Sequence, residues 1–125
     1  MLQHVSLEVP QDQAEDSVAF WTLLGFAPVK APEEIAEWVV WVEREGTQIH
    51  LILTDPRYTT VPRVGHAAVV VDDFESTLSR LERAGHEVLE SRQLWGARRA
   101  FAVAPGGHRV EIMAAPPPPG VSDST

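Results

Sequence analysis

None of the 125 residues is a cysteine, and this absence removes disulfides, thiolate nucleophiles and zinc–thiolate sites together. Any bound metal must be held by His, Asp or Glu. Cationic side chains are also few, ten Lys and Arg against eighteen Asp and Glu, for a net charge of −8. That balance repels phosphate backbones and anionic lipid, so neither nucleic acid nor a membrane is an expected partner. Long apolar runs are missing too. The longest, such as Ala67 to Val71, are the size of one strand and cannot span a bilayer. No basic segment stands in Met1 to Leu7, from which we expect no signal peptide and a cytoplasmic location.

Otherwise the composition is that of an ordinary globular domain, 44% hydrophobic and 22% charged. A chain of this length buries roughly two-thirds of its unfolded surface. We expect one domain over residues 1–115. The proline run Pro116 to Pro119, with the small polar residues after it, reads as a disordered tail over 116–125.

The two halves can be laid over one another at an offset of about sixty residues. Asp12 and Glu15 form a capping-box pattern, with apolar Ala14, Val18 and Trp21 and a stop at Gly25. Asp72, Glu75, Phe74, Leu78, Leu81 and Gly85 repeat it. Both sets place apolar residues at i, i+4 and i+7, the face of an amphipathic helix. A strand opening on histidine precedes each helix, His4 to Val9 and His66 to Val71, and a strand following a turn glycine closes each half, Gly46 to Ile52 and Gly107 to Met113. Between helix and closing strand lie Phe26 to Val29 and Glu37 to Val42 in the first half, Glu87 to Leu89 and Arg99 to Val103 in the second. A ferredoxin-like sandwich would have only two strands between its helices, and about four are counted. The expected fold is therefore α+β, two tandem βαβββ units (about 2–54 and 64–114, linker 55–63) forming a cupped mixed sheet of half-barrels with helices on the outer face.

Strand alternation sorts the histidines. Val5, Leu7 and Val9 leave His4 on the opposite face; Ile49, Leu51 and Leu53 leave His50; Ala67, Val69 and Val71 leave His66; Val110 and Ile112 leave Glu111. A single strand histidine is ordinarily solvated or hydrogen-bonded. Four potential ligands at equivalent positions of a duplicated unit are a different matter, because a pseudo-twofold brings such positions towards one axis. Three imidazoles and a carboxylate suit Fe, Mn, Ni, Co or Zn as the divalent ion. His86 and His108 fall at turns and read as solvated.

These residues resemble the vicinal oxygen chelate superfamily, which includes glyoxalase I, extradiol dioxygenases, methylmalonyl-CoA epimerase, fosfomycin-resistance enzymes and bleomycin-binding proteins. The resemblance spans residues 2 to 114 and is carried by Leu2 to Val9, Phe20 to Phe26, Gly65 to Asp73 and Ala104 to Ile112, where Ala104 and Gly106 replace the aspartates of the family's usual turn. It implies a metal on His4, His50, His66 and Glu111. Glyoxalase I usually has glutamate at the second position, so His50 departs from that pattern. Dioxygenases and fosfomycin-resistance enzymes use the His, His and Glu that His4, His66 and Glu111 match. His50 then becomes a fourth ligand or an acid–base group.

The expected function is that of a small divalent-metal-dependent enzyme of the glyoxalase or dioxygenase type, acting on a small molecule chelated through vicinal oxygens. Glu111 or His50 serves as proton acceptor, and Trp95 and Arg98 are the expected substrate-binding residues. The alternative is a metal-free protein that binds and sequesters a bleomycin-like drug or an aromatic metabolite. Trp38 and Trp41 lie three apart on one strand, so at most one of them faces the cavity. Each half-barrel leaves a sheet edge to be closed, and a homodimer is expected. If halves are exchanged, His4 and His50 of one chain meet His66 and Glu111 of the other.

Overall fold

A computed structural model describes residues 1–120. The first unit consists of β1 (His4–Pro10), α1 (Ala14–Leu23), β2 (Ala27–Val29), β3 (Val39–Arg44) and β4 (Thr47–Thr54). The second repeats it with β5 (Ala67–Val70), α2 (Phe74–Arg83), β6 (Val88–Ser91), β7 (Arg99–Val103) and β8 (Arg109–Met113). Their sheets have the same order, β1-β4-β3-β2 and β5-β8-β7-β6. In each, the first strand runs parallel to the last and the other pairs are antiparallel. The two tandem βαβββ units are thus as expected, and the two sheets do not join into a closed barrel.

Both helices end in the same way. Gly25 and Gly85 take φ of 93° and 92°, a conformation that costs glycine nothing. The amides that follow then fold back: Gly25 donates to Thr22 and Phe26 to Trp21, as Gly85 does to Glu82 and His86 to Leu81. These are the paired bonds of a Schellman motif, which satisfy the last carbonyls. The helix starts differ from expectation. Asp73, not Asp72, caps α2 by accepting from the Ser76 amide. Asp12 lies in a 3-10 turn, Gln11–Gln13, and no side chain caps α1. The buried residues of α1 are Ser17, Phe20 and Trp21, displaced from the expected Ala14, Val18 and Trp21 because α1 packs against α2 as well as its own sheet. Strand β3 starts at Val39 rather than Glu37, since turns closed by Ile35 to Pro32 and Trp38 to Ile35 occupy the preceding residues.

The helix-covered faces of both sheets contribute to one core. Phe20, Trp21 and Leu51 from the first unit and Leu81, Val110 and Ile112 from the second are essentially inaccessible and belong to a single cluster. The open edges of β1 and β5 are held by the other unit at equivalent positions. The Arg44 guanidinium donates to the Val70 carbonyl at 2.6 Å, and His108 Nε2 donates to the Glu8 carbonyl at 2.6 Å. His108 is therefore buried, 5% exposed, rather than solvated, because its hairpin packs on β1. His86 likewise sets its edge against Phe20, ring centroids 5.0 Å apart. Residues 116–120 carry no helix or strand, and the rest of the expected tail lies outside the described residues.

Two hairpin glycines separate backbone strain from crowding. Gly46 (φ 85°) has open space where a Cβ would stand, whereas at Gly106 (φ 90°) a Cβ would meet Pro10 Cδ at 2.9 Å. Gly46→Ala is expected to cost about 1–2 kcal/mol from the left-handed conformation alone. Gly106→Ala should cost more, because the contact between the units must also give way. Urea unfolding of both variants checks this, and equal losses would refute the crowding.

Candidate functional site

On the first sheet, His4 and Ser6 of β1, Gln48 and His50 of β4, and Trp41 and Glu43 of β3 share the face away from the helix. The register pairs Ser6 with His50, Trp41 with His50 and Glu43 with Gln48. The three rings form a column. Trp41 and His50 are parallel to within 4° at a centroid separation of 4.0 Å, and His50 and His4 lie 3.9 Å apart at 15°. Enclosed between two rings, His50 is only 8% exposed although it sits on the open face. The Gln48 amide donates to Glu43 Oε1 at 2.8 Å, which turns its own carbonyl oxygen to His50 Nε2 at 2.7 Å. Nε2 thus carries the hydrogen, and Nδ1 is left as the acceptor. Burial holds the His50 imidazolium below its usual proton affinity, and the neighbouring His4 charge lowers it further.

The second sheet presents a chain of polar groups where the first has a column of rings. His66, just before β5, sets Nδ1 2.9 Å from the Val64 carbonyl and Nε2 3.1 Å from Glu111 Oε1. The other carboxylate oxygen of Glu111 accepts from Arg99 at 3.1 Å. This pair is largely desolvated, with side chains 11% and 9% exposed. Phe101, opposite Glu111 in the register, sets its ring against His66 with centroids 5.0 Å apart. The Arg99 guanidinium lies 6.0 Å from the Trp95 ring, and Trp95 donates its indole N–H to the Ala115 carbonyl at 2.9 Å.

Of the residues singled out from sequence, His4 meets His50, and His66 meets Glu111. Among the described residues, however, no three His, Asp or Glu side chains gather closely enough to hold one ion. Trp95 borders the second pair. Arg98 does not, because adjacent strand residues face opposite ways. It forms ion pairs with Glu75 of α2 and Glu90 of β6, and its guanidinium lies over Phe74 on the helix side of the sheet. Arg99 is the arginine at Glu111. Trp41, Gln48 and Glu43 were not identified from sequence; the alternation of β3 allowed Trp41 on this face, but only the β3–β4 register sets it against His50. Trp38 precedes β3 and is exposed.

Two measurements on metal-free protein test this description. A histidine whose folded proton affinity is lowered favours the folded state in its neutral form. Stability from His50 is therefore full above its unfolded pKa of 6.5 and is lost as pH falls below that value. NMR titration should place His50 below 6.5 and His4→Ala should raise it only in part, since burial is the larger cause; a His50 that titrates normally would refute the enclosed column. Removing the partner of a largely buried carboxylate by Arg99→Met should cost about 1–3 kcal/mol in urea unfolding. Adding Glu111→Gln should recover part of that loss, and strictly additive losses would show that the two groups are not coupled.

No curated protein matches the chain, but solved structures do. A glyoxalase-family protein of Bacillus anthracis aligns with a TM-score of 0.79 at 23% identity, over 90% of this chain and 93% of that one. Lactoylglutathione lyase from Agrobacterium tumefaciens aligns with a TM-score of 0.65 at 19% identity, over 90% and 92%. TnmS3, an antibiotic-binding protein from Streptomyces sp. CB03234, aligns with a TM-score of 0.64 at 21% identity, over 90% and 93%. At these identities the likeness is one of fold. The family model for the Glyoxalase/Bleomycin resistance protein/Dioxygenase superfamily matches residues 2–112, nearly the whole of both repeats, and the chain belongs to that superfamily.

Proposed function

We propose that the protein is a divalent-metal-dependent enzyme of the glyoxalase or dioxygenase type, with a site completed between two copies of the chain. The observation that carries this reading is the division of the ligand set: each half brings two candidate ligands into contact and none of the third and fourth. Exchange of halves in a homodimer would set His4 and His50 of one copy against His66 and Glu111 of the other.

The donor chemistry fits such an ion. His50 Nδ1 and His4 Nε2 have no hydrogen-bond partner among the described residues, and His66 Nε2 and Glu111 occupy one another. His4, His50, His66 and Glu111 would hold the ion, which when bound would supply a Lewis acid for two vicinal oxygens of a substrate. The protein's own groups do the rest. Gln48 and Glu43 fix the His50 tautomer so that the Nδ1 lone pair is the one left for the ion. Arg99 neutralises Glu111 until that carboxylate is needed, and Trp95 stands beside Arg99. Arg99 at Glu111 and the stacking of His50 favour the second reading, a metal-free binder of a bleomycin-like drug or aromatic metabolite, for which the ring column would be the platform.

Metal analysis and subunit mixing decide between them. Wild type should take up one Fe(II), Mn(II), Ni(II), Co(II) or Zn(II) per site, and His66→Ala should not. His50→Ala and His66→Ala proteins refolded together should recover about a quarter of the high-affinity sites, because each mixed dimer then holds one intact set. No recovery would sink the shared site. No metal uptake by wild type would leave the binder.

A further inference from the structure

Four arginines are half-buried among the described residues, and three of them have partners. Arg44 donates to the Val70 carbonyl, Arg98 to Glu75 and Glu90, and Arg99 to Glu111. The Arg109 guanidinium has no hydrogen bond or ion pair to any described residue, and it lies over Phe101, 4.3 Å from the ring centroid. A half-desolvated guanidinium keeps five N–H donors in a rigid fork, and leaving them unmatched is unfavourable. In a chain with eighteen acidic residues, this cation is the exception.

The space beside it is a cavity of ≈ 350 Å³ over β6 and β7, lined by Leu89, Ser91, Phe101 and Val103 with Arg109, a volume at the small-molecule end of the range for ligand pockets. Leu89 is 71% exposed, a large apolar side chain held open to solvent on the face that carries Glu111. Two carboxylates also border the cavity, and neither satisfies Arg109: Glu90 is taken by Arg98, and Glu87 makes no ion pair.

We propose that this cavity takes a small, flat carboxylate, its ring lying across Leu89, Phe101 and Val103 and its carboxylate accepting two parallel N–H bonds from one edge of the Arg109 fork. Planar, bidentate recognition is what a guanidinium does best, and the Phe101 ring beside it gives the cation a π face to rest on. The proposal deepens the enzyme reading by giving its site a substrate class, and it rests on that reading only for what becomes of the bound molecule.

The test uses 2-naphthoate and the neutral 2-naphthalenemethanol as probes, titrated into the full chain with EDTA present and followed by amide NMR. Naphthoate should bind about tenfold more tightly than the alcohol and shift the amides around Leu89, Phe101 and Arg109. Arg109→Met should reduce naphthoate to the level of the alcohol, with alcohol binding unchanged; Arg109→Lys should keep part of the preference and serves if the methionine variant does not fold. Equal affinities in wild type, or shifts elsewhere, overturn the proposal. A loss of dimer in Arg109→Met by sedimentation, with the preference for naphthoate intact, also overturns it and assigns Arg109 to an acidic side chain of a second copy. Metal uptake is measured on the same preparations. Uptake without the carboxylate preference defeats this proposal alone, and the preference without uptake defeats the metal reading alone.

Discussion

Neither four-stranded unit can cover its own apolar face with one ten-residue helix, and the shared core that results governs the rest of the molecule. Phe20 and Trp21 of α1 and Leu81 of α2 meet in one cluster with residues from both sheets. The two units are thereby fixed to each other through their helix sides. What each has left is its open face and the free edge of its first strand. The edges are partly held from across the molecule, by Arg44 on Val70 and by His108 on Glu8, so that backbone carbonyls of edge strands are not left unpaired. The faces carry the candidate ligands.

Duplication gave the two faces the same geometry and divergence gave them opposite electrostatics. On the first, burial and the neighbouring His4 disfavour the His50 imidazolium, and Gln48 and Glu43 set its tautomer. On the second, a carboxylate lies between an imidazole and a guanidinium, with an aromatic ring beside them. A desolvated Glu111 without Arg99 would be costly, so the arginine is needed in any state of the protein in which nothing else neutralises that carboxylate. This is why a chain poor in cations still places an arginine, Arg99, on this stretch of sheet.

Much of this was legible in advance. The repeat, the Gly25 and Gly85 stops and the alternation of apolar residues along β1, β4, β5 and β8 were enough to put His4, His50, His66 and Glu111 on open faces, because each depends on local spacing alone. The cap of α2 falls on Asp73, one residue beyond Asp72, and helix–helix contact shifts the buried arc of α1 to Ser17, Phe20 and Trp21. Local spacing points to Arg98 because a loop boundary hides the phase of the strand that follows. With β7 starting at Arg99, parity sends Arg98 to the helices and Arg99 to the carboxylate.

By itself the sequence determined the α+β class, the twofold repeat and the donor types on offer, since cysteine is absent and period-2 patterning is a property of neighbouring residues. Only the tertiary structure decided which of those donors touch. Register set Trp41 against His50 and Phe101 opposite Glu111, and packing of the helix-covered faces buried His108. The same packing kept the His4–His50 and His66–Glu111 pairs apart. Such distances depend on contacts between residues far apart in the chain, and no local pattern encodes them.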